Sequence, residues 1–327
     1  MYRALIGRCY LEKEAAAVIE VDVRLKQLYW DCQNVTELEA KILELWEMKQ
    51  MLRELLTQYA EETKQEQKDV QSLESPSFKG LLLGLTGRKE EILKKERRDV
   101  MEARIQQEIT AAELAKVAND LENVLDQQRK LGNCQEEFWF QFPTVYAEYR
   151  NSGAGDQATA QDLEFQMVAA AKHHKEVEEA LLCGRDARRS IDLALKSLNE
   201  VRASEEDALA TGSGLVRGKI AQAQTQVNQM RDTLSVFKEE LLDLHLPAEM
   251  RFDLHGFLQL EDDCLTSRAS TNITEQHRRI TMLLHPAILQ IDAIIPWLES
   301  MQGKSHLRLQ QARLSLAQHV LEELDEI

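Results

Sequence analysis

Residues 219–244 read KIAQAQTQVNQMRDTLSVFKEELLDL. Ile220, Ala223, Val227, Met230, Leu234, Phe237, Leu241 and Leu244 recur at alternating steps of three and four residues. That spacing lays one apolar stripe along one side of an α-helix, whereas a half-buried strand needs apolar residues at every second position. The stretch is flanked by Thr211-Gly212-Ser213-Gly214 on one side and Pro247 on the other. Glycine frees the backbone and proline removes a helix donor, so both flanks punctuate the helix.

The same grammar extends through most of the chain. Only five prolines and 13 glycines occur in 327 residues, clustered where the stripes stop. A first helix is expected from about Tyr10 to about Gln71, with a seam of Val21, Leu25, Leu28, Cys32, Val35, Leu38, Ile42, Leu45, Met48, Leu52, Leu55 and Tyr59. Its mean step of ~3.5 residues predicts left-handed supercoiling against a partner helix. Beyond Tyr59 the stripe fades into EETKQEQKD, which predicts a splayed or solvated end. Pro76, Gly80, Gly84 and Gly87 then mark a connection. A second helix begins near Arg88, capped by Thr86, with a later seam of Ala111, Leu114, Ala118, Leu121 and Leu125.

Gly132-Asn133 is a weak point, and Pro143 is expected to kink or restart the helix that follows. After the loop Asn151–Gly155, with Asp156 as cap, the next seam runs Leu163, Met167, Ala170, His174, Val177, Leu181, Gly184, Arg188, Ile191, Leu195 and Leu198. A short helix is expected within 248–270. A further helix carries Ile280, Leu284, Ala287, Ile291, Ile294 and Leu298, bent by Pro286 and Pro296, and Gly303 separates it from a last acidic helix. These elements define an all-α protein. The expected form is elongated: a long antiparallel helical hairpin or coiled coil over 1–150, with an apolar tip near 76–88, then a helical bundle of four or five helices over 151–327.

Charge narrows the function classes. The net charge is −16 and the isoelectric point near 5.1. Nucleic-acid affinity depends on neutralising phosphates, and anionic lipid repels an acidic surface, so nucleic acid is not an expected partner. The basic runs Lys94, Lys95, Arg97, Arg98 and Arg185, Arg188, Arg189 are interleaved with acids, as in solvated helix faces. Five scattered cysteines (Cys9, Cys32, Cys134, Cys183, Cys264) form no CxxC motif, which reads as a reduced, cytoplasmic chain. The N-terminal MYRALIGRCYLEKEAAA lacks the apolar core of a secretory signal.

No stretch specifies catalysis, a cofactor or a metal. Ser213–Ile220 approaches a phosphate-binding loop but has Ser213 for the first glycine and Ile220 for the hydroxyl residue. His174 and Glu178 share a helix face without a third ligand. His245, Asp253, His255, Glu261, Asp262, Asp263 and Cys264 supply ligand types without ligand spacing. Two stretches are candidates for contact instead. Phe78, Leu81, Leu82, Leu83 and Leu85 form an apolar tip flanked by Lys79, Arg88 and Lys89, suited to capping the bundle core, to a partner groove or to a bilayer interface. Phe138, Trp139, Phe140, Phe142, Tyr146 and Tyr149 concentrate six rings in 12 residues of a chain only 6% aromatic, suited to a plug between helices or a docking surface.

Phe78-Lys79-Gly80-Leu81-Leu82, Leu85-Thr86-Gly87-Arg88-Lys89-Glu90-Glu91 and Lys95-Glu96-Arg97 resemble a segment of bacterial, Gram-positive-type cytosolic coiled-coil proteins of unknown function. Gly212-Ser213-Gly214-Leu215, Phe237–Leu244 and Gly256-Phe257-Leu258 do likewise, in the same order. Where those proteins carry aromatics after the second glycine segment, this chain has Gln259, Glu261, Asp262 and Asp263. The resemblance implies a bacterial cytosolic helical protein and names no activity. Together these readings predict a non-enzymatic scaffold that meets a protein partner or a second copy through its helices, with tip insertion into a membrane as the alternative.

Overall fold

The computed structural model describes residues 2–74, 89–153, 155–211, 215–247 and 273–326, together with Met250, Phe252 and Leu265. The protein is all-α. Among the described residues there are six helices and no strand: α1 Tyr2–Glu74, α2 Lys89–Leu131, α3 Cys134–Ser152, α4 Gln157–Thr211, α5 Leu215–Leu242 and α6 Ile273–Glu326. Two compact units divide the chain, one of Met1–Gln157 with Ala317–Ile327 and the other of Ala158–Leu316.

In the first unit α1 runs antiparallel to α2 and then α3. Glu66 meets Glu96 and Asp99, Arg97 bonds Glu74, Cys32 meets Cys134, and Tyr29 packs on Phe138. One register therefore holds across Gly132, whose φ of 64° supplies the left-handed turn between α2 and α3. The α1 seam is buried at Leu25, Leu28, Cys32, Val35 and Leu52, as its periodicity predicts, while Met48 is exposed.

The packing does not fade beyond Tyr59. Thr63 and Leu73 are buried, and Glu66 and Val70 half-buried, so the helix continues packed to its end. The expectation failed because polar residues occupy seam positions there. Thr63 is tolerated because its hydroxyl donates to the Tyr59 carbonyl at 2.7 Å and needs no partner on α2. On α2 the expected seam holds at Leu121, which is buried, and in part at Leu114, which is half-buried, but it shifts at the positions around them. Thr110, Val117, Leu121 and Val124 are buried, while Ala111 is exposed and Ala118 and Leu125 only half-buried. Counted back, the stripe continues through Gln107, Ala103 and Val100, all half-buried.

The second unit, among its described residues, is built from α4, α5 and α6. Antiparallel α4–α5 contacts include Ser190 with Thr233 (2.6 Å) and Lys219 donating to Ser204 (2.6 Å). Antiparallel α4–α6 contacts include Arg188 with Asp292 and Arg185 with Glu299, both 2.7 Å, and His174 with Ser305 at 2.9 Å. The α5 stripe from Ala223 to Leu244 is buried throughout, and it meets Val177, Leu181, Ile191 and Leu198 of α4 and Ile280, Leu284, Ile291, Ile294 and Leu298 of α6. Each fully buried Leu, Ile or Phe contributes on the order of 2 kcal/mol. Gly184 is a close approach: a Cβ there would stand 2.9 Å from the Phe237 ring, so any larger residue would force the ring to shift. Phe252 and Leu265 close onto this core, and the Leu265 N–H donates to buried Gln224 at 2.6 Å.

One interruption expected from the sequence is absent: Gly303 does not divide α6. Pro143 lies inside α3, and Pro286 and Pro296 lie inside α6, without ending either helix. A proline removes one bond to the carbonyl four residues back. For Pro286 and Pro296 those carbonyls belong to Met282 and Asp292, which sit on the exposed face where water can serve them. The buried stripe on the opposite face is unbroken, so packing overrides the local penalty. The helix expected within 248–270 and the apolar tip Phe78–Leu85 lie outside the described residues, apart from Met250, Phe252 and Leu265.

The last turns of α6 complete the first unit. Lys26 pairs with Asp325, and the Tyr29 hydroxyl donates to Gln318 at 3.4 Å. Asp156 N–H donates to Glu323 at 3.1 Å, and the His319 ring lies edge-on to Tyr149, centroids 6.3 Å apart.

Candidate interaction surface

The six rings of 138–149 divide by helix face. Phe138, Phe142 and Tyr149 fall on the inner side of α3 and are buried, two of them with no exposed surface. Phe138 is the hub, with ring centroids 6.1 Å from Tyr29, 4.7 Å from Trp139 and 5.5 Å from Phe142. Tyr146 stacks on Phe142 at 6.0 Å and carries the Arg150 guanidinium 5.9 Å from its ring centre. Phe140 faces the other way and is 87% exposed. Phe138, Trp139, Phe142 and Tyr146 thus form one run of rings that meets α1 at Tyr29, Tyr149 packs on His319 of α6, and Phe140 is presented outward.

A second apolar feature lies on α2. Met101, Ile105 and Ile109 recur every four residues and are 66%, 46% and 47% exposed. By helical spacing Met101 and Ile109 stand away from the seam through Val100, Ala103, Gln107 and Thr110, while Ile105 also borders the groove that Tyr59, Glu62 and Glu66 line. Sequence reading missed them because it began the α2 seam at Ala111. The available signal was two apolar stripes on one helix, one more than an antiparallel pair consumes.

The polar clusters are modest. Glu66, Glu96 and Asp99 place three carboxylate oxygens within 4.8 Å of one another, a donor set of the kind a hard divalent cation takes. Tyr59, Glu62 and Glu102 line the same groove. Burial, then the charges of Glu96, Asp99 and Asp69, pushes the Glu66 carboxyl above its ordinary value of 4.5. The folded state therefore holds the Glu66 proton more tightly than the unfolded chain, so this group's contribution to stability falls as pH rises past 4.5. Glu66→Gln should raise the unfolding free energy of the first unit at pH 7 by about a few tenths of a kcal/mol, with no gain below pH 4.5. Thermal melts of both proteins at the two pH values check this.

His174 accepts or donates at Nδ1 to Ser305 (2.9 Å), with Nε2 3.5 Å from Glu178 and the His306 ring centroid 5.5 Å away. Burial pulls its pKa below the usual value; Glu178 opposes this, and His306, Arg313 and His173 add to it. Both ring nitrogens thus face protein groups, and the neutral ring serves as a polar joint in the α4–α6 seam. The residues 212–214 of the glycine connection lie outside the described residues, and Lys219 is turned to Ser204.

Among the described residues one helix is long and apolar enough to cross a bilayer, α6 over Glu275–Asp325. Its apolar seam is spent on the second unit's core, and Asp292 and Glu299 tie it to arginines of α4; Met282 and Leu289 face outward. No protein-family model, curated protein or solved structure significantly matches this chain. The fold therefore defines the class, an all-α helical protein, and the surface must supply the rest.

Proposed function

We propose that this chain is a non-enzymatic helical scaffold of the cytoplasm, related to the bacterial coiled-coil proteins its sequence resembles, and that it self-associates through the outer face of α2. The observation that carries the reading is the Met101–Ile105–Ile109 stripe. Its residues are apolar, regularly spaced and left over after α1 has been packed. An apolar stripe at helical spacing is what helix-to-helix recognition uses, and water penalises leaving it bare.

Three residues bury little area, so the contact is weak and reversible at one site and gains strength from repetition. Burying one isoleucine is worth on the order of 2 kcal/mol, and each 1.4 kcal/mol is about tenfold in affinity. Ile105→Glu should therefore weaken association at least about tenfold. Sedimentation equilibrium over a range of concentrations tests this. A mass that rises with concentration for the wild-type chain and stays monomeric for Ile105→Glu supports the reading. Identical behaviour of the two proteins contradicts it.

A further inference from the structure

The outer face of α2 carries charge in a pattern that limits how a second copy can lie on it. By helical spacing the Met101–Ile105–Ile109 stripe runs back to Arg98 and Lys94 and on to Ala112 and Lys116, all of them exposed. Lys95 and Glu113 stand along one edge of the stripe, and Arg104 and Glu108 along the other. Arg104 lies 3.7 Å from Glu108 of its own helix. Two arrangements let a second copy cover all three apolar residues with its own three. In the parallel one, each residue meets its own counterpart. In the antiparallel one, Ile105 meets Ile105 on a two-fold axis and Met101 meets Ile109 on either side of it.

Charge separates the two. Parallel pairing sets Arg98 against Arg98, one turn from the apolar contact, and brings Lys94 and Lys116 onto their counterparts. It also puts Glu108 at one edge beside Glu113 of the second copy, because unlike edges face each other in a parallel pair. Antiparallel pairing sets Arg98 against the small Ala112. The two-fold axis turns each edge onto the same edge of the second copy, so Lys95 stands beside Glu113 and Arg104 beside Glu108. Each of these opposite-charge contacts is made twice. Lys94 does meet Lys116, but about three turns from the axis, where water and salt screen the pair.

We propose that the self-association through α2, on which this inference rests, is an antiparallel two-fold contact centred on Ile105, with Lys95 and Glu113 as the residues that set its orientation. The apolar stripe supplies attraction in either direction, and the flanking charges choose between directions, as they do in paired helices generally.

Single cysteines on the full chain read the orientation. Ile105→Cys and Ala112→Cys chains are each treated with a short bis-maleimide, and linked peptides are mapped by mass so that native cysteines are told apart. Residue 105 lies at the centre of either arrangement, so Ile105→Cys should link to its own copy and reports self-association itself. In the antiparallel pair the two copies of residue 112 stand about 21 Å apart along the helices, at ~1.5 Å per residue, so Ala112→Cys should give no link to its own copy. Mixing Met101→Cys with Ile109→Cys chains should link one to the other. Sedimentation equilibrium adds a test of the charges. Glu113→Lys should weaken association at least about twofold by facing Lys95, and Lys95→Glu in the same chain should restore it. A link between two copies of residue 112, or tighter association of Glu113→Lys, would overturn the antiparallel arrangement while the link at residue 105 left self-association standing. No link at residue 105 would overturn both.

Discussion

Replacing Leu234 and Leu241 together by aspartate is expected to unfold the Ala158–Leu316 unit. Leu234 has no exposed surface and Leu241 has 3%, and both sit in the central stripe of α5 between α4 and α6. Each change removes a buried side chain, worth about 2–5 kcal/mol when truncated, and puts an unpaired carboxylate in its place. The pair should exceed the roughly 5–15 kcal/mol that holds a domain together. Circular dichroism should show lost helicity and one missing melting transition. Val236→Asp and Leu242→Asp lie on the outward face, 47% and 76% exposed, and should leave the melt almost unchanged. A double-aspartate variant that melts like the wild type would mean that α5 is not the core element described above.

Phe138→Ala is expected to destabilise the first unit by about 3–5 kcal/mol, the range for a buried aromatic truncated to alanine. Phe138 touches Tyr29 of α1 and both Trp139 and Phe142 of its own helix, so the cavity opens where α3 is anchored. Phe140→Ala, two residues away and 87% exposed, should change stability by less than about 0.5 kcal/mol. Chemical denaturation followed by tryptophan fluorescence measures both, since Trp30 and Trp139 neighbour the plug. Equal losses in the two variants would mean that the aromatic cluster is not divided into inner and outer faces.

The seams that proved legible are those in which every position is apolar. The α5 stripe and the early α1 stripe have no competing arrangement, so periodicity alone placed their buried residues. Where seam positions are polar or small, the pattern was ambiguous. Thr63 and Glu66 looked like solvent face because their burial depends on what α2 brings opposite them. Ala111 and Ala118 were preferred to Thr110 and Val117 because alanine-rich helices offer two neighbouring stripes. Gly303 was read by a local rule that a continuous buried face overrides. The remaining gaps are long-range. No local pattern pairs Cys32 with Cys134, or brings Gln318, Glu323 and Asp325 back to the first unit. The outer stripe on α2 was legible in principle, but only after the inner one had been assigned.

α1 closes against α2 of its own chain, which leaves the outer face of α2 for the second copy proposed above. Isotope-resolved cross-linking tests this most directly. Equal amounts of light and heavy protein are unfolded together, refolded and treated with a lysine-reactive linker. Lys68 and Lys95 are exposed at the level where Glu66 meets Glu96, and should be linked. If α1 and α2 pair within one chain, every Lys68–Lys95 peptide carries a single label. Mixed-label peptides as abundant as single-label ones would mean that the seam joins two chains, and would contradict the account.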